Sequence, residues 1–200
     1  QFLSQIVPED AVTTLLELLG QICVGDMANQ TAILLVGSGA NGKSTYLNLL
    51  KDILGDINYS TISLQELTNH KFMSAQLYGV LANICPDISG NHILDTSKFK
   101  GYTGDDKGLT VERKYGHPFT FNPFATLIFS ANEIPSSADT SKGYLRRWMT
   151  IEFPHTFPID TTLYKRLSTE EELSGLFNLA MHAWIECNGV FTKGPSIQKG

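Results

Sequence analysis

The sequence is poor in cysteine and histidine and contains no long apolar run. Its three cysteines, Cys23, Cys85 and Cys187, are odd in number and widely spaced. That excludes a disulfide framework, offers no zinc-ligand spacing, and suits a reducing cytoplasm. His70, His92, His155 and His182 also stand at no ligand spacing, so no structural metal is assigned. The longest apolar stretch is Ala32-Ile33-Leu34-Leu35-Val36, far short of the roughly 20 residues that span a membrane, and no membrane partner is expected. The opening Gln1-Phe2-Leu3-Ser4 lacks the basic start and apolar stretch of a secretory leader. With no initiator Met, the chain reads as a fragment of a longer protein. Positive charge is scarce too: 15 Lys and Arg stand against 20 Asp and Glu, for a net charge of −5, so binding to nucleic acid must come from a local patch. What remains is an ordinary globular composition, 200 residues with 42% hydrophobic and 18% charged, enough for about one or two domains.

Three segments follow from the patterning. Residues 1–29 read as helical, with an apolar stripe of Leu15, Leu16, Leu18, Leu19 and Ile22 after a Pro8-Glu9-Asp10 start. Residues 30–153 alternate strand and helix signals. A continuous apolar run over Thr31–Val36 predicts a strand buried on both faces, and Lys43–Leu54 has helical spacing that stops at Gly55. Further strands are expected at Gly79–Cys85, Thr110–Lys114, Phe119–Phe121, Ala125–Ser130 and Trp148–Phe153, with helix signals around Leu64–Phe72 and Leu173–Glu186. Such alternation predicts an α/β fold with a mostly parallel central sheet. Residues 154–200 read as a helical appendage in which Trp184 and Phe177 are core residues, Glu170-Glu171-Glu172 opens a helix, and Phe191–Gly200 is a loose tail.

The strongest motif lies between the first strand and its helix. Gly37-Ser38-Gly39-Ala40-Asn41-Gly42-Lys43-Ser44 matches the phosphate-binding loop G-x-x-x-x-G-K-[ST] in full, with Thr45 following. Glycines let successive backbone N–H groups turn inward around phosphate oxygens. Lys43 reaches the β- and γ-phosphates, Ser44 ligates Mg²⁺, and the helix N-terminus faces the anion. The nucleotide expected is ATP with Mg²⁺. A second site belongs at the end of a neighbouring strand, where an acid holds the metal shell, and Asp87 ends one, 44 positions past Lys43. A third strand ends in Asn132, an amide suited to orienting an attacking water. Lys142-Gly143-Tyr144-Leu145-Arg146-Arg147 then brings three cations and no acid, and guanidinium groups stabilise a transferring phosphoryl, including across a subunit boundary.

These motifs occur in the order Ala-Asn-Gly-Lys-Ser-Thr, Asp87, Lys100 with Thr103-Gly104-Asp105, Phe-Ser-Ala-Asn-Glu-Ile-Pro and Arg-Arg-Trp. Together they resemble superfamily 3 helicases, in particular the primase–helicases of phages and plasmids, over about Phe2–Thr192. The resemblance implies an AAA+-like P-loop ATPase that assembles as a ring, usually hexameric, and moves 3′ to 5′ on single-stranded DNA. It implies Lys43 and Ser44 as phosphate and Mg²⁺ contacts, Asp87 as the Walker B acid, Asn132 as the sensor, and Arg147, with Arg146 close behind, as the arginine finger. It also implies forked DNA as a partner and replication in a host cytoplasm; priming is not supported by these residues, and a primase domain, if the parent chain has one, lies outside them. One departure stands out: many relatives carry two adjacent acids at the second motif, and here Pro86 precedes Asp87.

Between Lys98 and His117, five cations (Lys98, Lys100, Lys107, Arg113, Lys114) outweigh three acids (Asp105, Asp106, Glu112). Thr110–Tyr115 and Phe119–Phe121 flank Gly116-His117-Pro118 as a hairpin would. Its cations would neutralise phosphates without reading sequence, and Tyr115 or His117 could stack on a base. Two other readings stay open: an AAA+-like ATPase that remodels protein complexes, and a nucleotide-binding module that does not hydrolyse.

Overall fold

A computed structural model describes the chain except for residues 27–28, 89–95, 105–107, 134–138, 140 and 200, and the side chain of residue 199. Helix α1 (Phe2–Ile6) and helix α2 (Glu9–Val24) lead into strand β1 (Ala32–Val36) and helix α3 (Lys43–Leu54). Strand β2 (Tyr59–Ser60), helix α4 (Leu64–Asn69), a 3-10 turn (Met73–Leu77) and strand β3 (Ala82–Cys85) follow. Next come helix α5 (Thr96–Tyr102), a hairpin of β4 (Leu109–Val111) and β5 (Phe119–Phe121), and strand β6 (Thr126–Ala131). Helix α6 (Lys142–Leu145), strand β7 (Trp148–Glu152), helix α7 (Leu163–Leu167), helix α8 (Glu170–Glu186) and strand β8 (Ile197–Lys199) complete the order.

The central sheet runs β2-β3-β6-β1-β7-β8. Its first five strands are parallel, and β8 pairs antiparallel to β7. Because side chains alternate across a strand, β1 feeds two cores. Ile33 and Leu35 enter one core with Leu15, Leu18, Tyr46, Leu50 and Trp184, so α2, α3 and α8 cover that face. Ala32 and Leu34 enter the other with Leu64, Leu67, Phe99, Phe129 and Trp148, under α4 and α5. Burial on both faces is why β1 is a continuous apolar run. The Phe99 and Trp148 rings stack at 4.7 Å, 14° from parallel, and fasten α5 to the sheet. Helix α2 meets α8 so closely at Gly20 that a Cβ there would lie 2.5 Å from Trp184 Cβ and 2.6 Å from the Ala180 carbonyl.

The expected α/β fold with a mostly parallel central sheet is the one observed. Helix α3 has the boundaries read from its periodicity, and Glu170-Glu171-Glu172 is the first turn of α8, capped by Thr169. Two readings need correction. Phe177 is 39% exposed and not a core residue; Trp184, two turns further along the same stripe, packs on α2 and is buried. Residues 191–199 are not a loose tail. Phe191 and Ile197 are buried, and the segment forms the edge strand β8. Polar groups of α2 clamp it: the buried Glu17 carboxylate accepts from Thr192 N–H (2.7 Å) and hydroxyl, Thr14 donates to Thr192 O (2.9 Å), and Asp10 accepts from Ser196 N–H (2.8 Å). No periodicity marks so short a strand, and its clamping partners lie 175 to 186 residues upstream.

Deleting residues 191–200 is therefore expected to destabilise the protein by roughly 3 kcal/mol or more. Two apolar side chains lose about 1.5–3 kcal/mol of burial each, and Glu17 is left buried without its partners. A urea midpoint unchanged by the deletion would refute this account of the clamp.

Candidate functional site

Parallel strands carry their C-terminal ends to one edge of the sheet, and the loops leaving that edge build the site. The phosphate loop leaves β1 at Val36. Gly39 (φ +111°), Ala40 (φ +48°) and Gly42 (φ +87°) occupy left-handed or neighbouring backbone conformations, and Gly42 caps α3. At Gly42 a Cβ would also strike Ile6 Cγ2 at 2.6 Å, so α1 closes the back of the loop. Ser38, Ala40 and Ser44 are exposed or half-exposed, and Thr45 is half-buried. Lys43 is only 6% exposed. Its Nζ donates to the Gly37 carbonyl (2.5 Å) and to Asn41 Oδ1 (3.1 Å). Burial pushes the Lys43 ammonium below its usual pKa, and the nearby Asp87 carboxylate opposes that shift. Asn41 Nδ2 is buried without a hydrogen-bond partner.

Asp87 follows β3 and is exposed, with φ at +57°, a left-handed conformation that short polar Asp tolerates better than most residues. Its N–H donates to Ser130 Oγ (3.1 Å), and the next N–H, of Ile88, donates to the Ser130 carbonyl (2.8 Å). Ser130 on β6 thus sets the turn that presents Asp87. Ser130 belongs to the Phe-Ser-Ala-Asn motif, but its part in setting this turn follows only from the pairing of β3 with β6. Asn132 lies just past β6 and is exposed. The loop residues Gly39–Thr45, Asp87 and Asn132 line one cleft of about 1460 Å³. The segment after β7 closes another wall: Phe157 N–H donates to the Ala40 carbonyl (2.8 Å), and Asp160 and Arg166 line the same cleft. Neither of these two stands out in the sequence, because residues 154–167 carry no strong pattern.

Arg146 and Arg147 lie elsewhere. They precede β7, and Arg147 O accepts from Ala32 N–H (2.7 Å) at the start of β1, while the phosphate loop leaves that strand's other end. Five strand residues at about 3.3 Å each separate the two edges by roughly 15 Å. Within one chain the pair does not join the cleft. Arg146 is exposed; Arg147 is 7% exposed, with Nη1 donating to Gly143 O (2.6 Å).

The expected hairpin is present, although its strands are shorter and its turn longer than the sequence suggested. Leu109 pairs with Phe121, Thr110 with Thr120 and Val111 with Phe119. Arg113, Lys114, Tyr115 and His117 are all exposed in the connection, Tyr115 at 95% with φ +64°. The Arg113 guanidinium lies over Phe119 (5.3 Å) and Tyr78 (5.9 Å), and the Tyr78 ring meets Phe119 and Phe121 edge-on, both at 5.3 Å. Lys98 and Lys100 are not on the hairpin. They sit on α5, where Lys98 Nζ donates to Thr68 O (2.6 Å) and Lys100 pairs with Asp139 (2.9 Å). Hydrogen bonds from Ser141, Thr96 and Lys100 hold the Asp139 carboxyl below its usual range. Lys107 lies outside the described residues. Among those described, no helix is long and apolar enough to cross a membrane.

This arrangement has counterparts. The chain is similar to the apo C-terminal region (305–718) of NrS-1, with a TM-score of 0.69 at 19% identity over 96% of this chain and 45% of that one. It is also similar to a ligand-bound JCV helicase, with a TM-score of 0.56 at 18% identity over 92% of this chain and 51% of that one. What is shared is the fold, an α/β P-loop NTPase domain with a mostly parallel central sheet. In sequence, 84% of the chain is 29% identical to "Putative helicase L207/L206" of Acanthamoeba polyphaga mimivirus, and it spans 18% of that protein's length. Residues 35–147, from the end of the phosphate-loop strand to the arginine pair, match a family model of their own, and the chain belongs to that family, described as the Family of unknown function (DUF5906).

Proposed function

We propose that this chain is the ATP-hydrolysing core of a DNA helicase. The observation that carries the reading is the single cleft lined by the phosphate loop, Asp87 and Asn132. The residues fit a nucleoside triphosphate with Mg²⁺. The loop backbone adopts the conformations that point N–H groups inward, Lys43 is buried at a helix start, and the unpartnered Asn41 Nδ2 is a donor beside it. When bound, ATP with Mg²⁺ supplies the scissile phosphoanhydride. The chain's part is then electrostatic and positional. Lys43 would neutralise phosphate charge, Ser44 and Asp87 would hold the metal's ligand shell, and Asn132 would orient the attacking water. With Pro86 where a second acid would stand, the proton of that water would go either to Asp87 or to another carboxylate of the cleft, whose lining also holds Asp160, Glu171 and Glu172. Arg146, exposed at the opposite edge of the sheet, would serve a neighbouring protomer's cleft, and Arg147, buried and bonded to Gly143 O, would do so only on release from that bond. That placement supports a ring, and the resemblance to superfamily 3 helicases supports a hexamer that moves 3′ to 5′.

The exposed cations of the hairpin, Arg113 and Lys114, together with His117 and the protruding Tyr115, are the DNA-facing element of this reading. The aromatic brace of Tyr78, Phe119 and Phe121 holds the hairpin's base while its tip stays free. A phage- or plasmid-type replication role belongs to the same proposal.

The test is ATP hydrolysis with and without single-stranded DNA, and unwinding of forks carrying a 3′ or a 5′ tail. Hydrolysis stimulated by DNA, with unwinding only from the 3′ tail, is the expected result. Hydrolysis indifferent to DNA would favour protein remodelling, and nucleotide binding without hydrolysis, once assembly is verified, a binding module. A further expectation concerns the hairpin: Arg113→Ala with Lys114→Ala should weaken single-strand binding and flatten its log–log salt dependence by about 0.7 for each phosphate no longer neutralised. An unchanged slope would remove the hairpin from the DNA path.

A further inference from the structure

One cation in the nucleotide cleft has no role in the reading above. Arg166 sits on α7 and lines the cleft together with Gly39–Thr45, Asp87 and Asn132. Its Nη2 pairs with Asp160 Oδ2 at 2.6 Å, and Asp160 lines the cleft too. Both side chains are largely open to solvent, at 64% and 43%. The segment that carries them is tied down on either side of Asp160. Phe157 N–H bonds to Ala40 O within the phosphate loop, and Tyr164 Oη donates to Asp52 Oδ2 (2.6 Å) on α3, the helix that starts at Lys43. Asp160 follows Phe157 by three residues, so its Cα lies within about 11 Å of the anchored backbone. Asp160 is in turn oriented by Thr162, whose N–H (2.9 Å) and hydroxyl (2.7 Å) donate to Oδ1, leaving Oδ2 for Arg166.

From this geometry we infer that Arg166 is a phosphate-positioning residue acting within its own chain, held in reserve by Asp160 and transferred to the phosphate chain of the bound nucleotide. The magnitudes favour the exchange. A solvent-exposed ion pair contributes little, since water and salt screen it, whereas a guanidinium on phosphate makes charge-assisted, frequently bidentate hydrogen bonds to a group of higher charge. Asp160 thus competes with the nucleotide for Arg166, and it adds a negative charge to the cleft wall. Swapping partners carries α7 with it, and Tyr164 couples that movement to α3. The inference rests on the cleft being the nucleotide site.

The two residues therefore have opposite effects on affinity, which a merely structural ion pair does not produce. Binding of a fluorescent, non-hydrolysable ATP analogue to the full chain with Mg²⁺ is the measurement. Arg166→Ala is expected to weaken binding roughly tenfold, the effect of one charge-assisted hydrogen bond, and Arg166→Lys to restore part of it. Asp160→Asn keeps an acceptor for Thr162 and is expected to tighten binding severalfold. Lys165→Ala removes an exposed neighbouring cation outside the cleft lining and is expected to change nothing, which separates direct binding from general charge. If Asp160→Asn and Arg166→Ala weaken binding equally, or Lys165→Ala matches Arg166→Ala, the exchange is overturned while the nucleotide site stands. If wild type binds no nucleotide, the site and the exchange both fall.

Discussion

Replacing Lys43 by alanine is expected to lower ATP turnover by on the order of 10²–10³-fold or more, the drop that follows removal of one preorganised charge-stabilising donor. Stability should not follow activity down. Lys43 is an ammonium buried to 6% exposure, with the Gly37 carbonyl and Asn41 Oδ1 as its hydrogen-bond partners. Burial lowers its pKa, which means that folding penalises its charged form. At neutral pH alanine removes that penalty together with two hydrogen bonds, so the melting temperature should stay within a few degrees or rise. Lys43→Arg should fail as well, because a longer, planar guanidinium does not reproduce the compact ammonium's bonds to the Gly37 carbonyl and Asn41 Oδ1. A Lys43→Ala protein that still hydrolyses ATP at the wild-type rate would place the chemistry outside the phosphate loop. A protein that unfolds would show that Lys43 holds the loop rather than the nucleotide.

The second large effect is expected from the arginines. Arg146→Ala combined with Arg147→Ala should cost about 10³–10⁵-fold in turnover, the range for a missing arginine finger, while ATP binding is retained. The sheet dictates how this deficit arises. The pair borders the start of β1 and the phosphate loop borders its end, so within one chain the two lie at opposite edges of the sheet. Mixing the arginine double variant with Lys43→Ala should therefore recover activity: interfaces then form between an intact phosphate loop on one protomer and intact arginines on the next. No recovery, in a mixture shown to co-assemble, would count against action between protomers. The single variants should differ in another respect. Arg147 is buried and bonded to Gly143 O, so its removal should lower the melting temperature, whereas removal of the exposed Arg146 should not.

What the sequence by itself determined was local. The run Ala32–Val36, the loop Gly37–Ser44 and the helix Lys43–Leu54 are written in contiguous residues, since a strand buried on both faces needs unbroken apolar side chains and a phosphate nest needs glycine where φ is positive. Asp87 and Asn132 were legible as polar residues ending apolar strands. The Phe119–Phe121 strand was legible from its alternation. What only the tertiary structure decided was adjacency. The order β3-β6-β1 brings three strand ends, separated by dozens of residues, into one cleft, and the same parallel order sends Arg146 and Arg147 to the opposite edge. Pairing across β3 and β6 makes Ser130 the support of Asp87. Docking on α2 turns an irregular stretch containing Phe191 and Ile197 into strand β8, because burial and the Glu17 clamp supply what propensity does not. Lys98 and Lys100, counted with the hairpin on charge alone, belong to α5 and have partners there. Arg166 reaches the cleft beside the phosphate loop on a segment held by two tethers, at Ala40 and at Asp52, that join residues more than a hundred positions apart. Charge and periodicity are properties of a segment; which edge of the sheet a side chain serves depends on strand order, and strand order is set by packing over the whole chain.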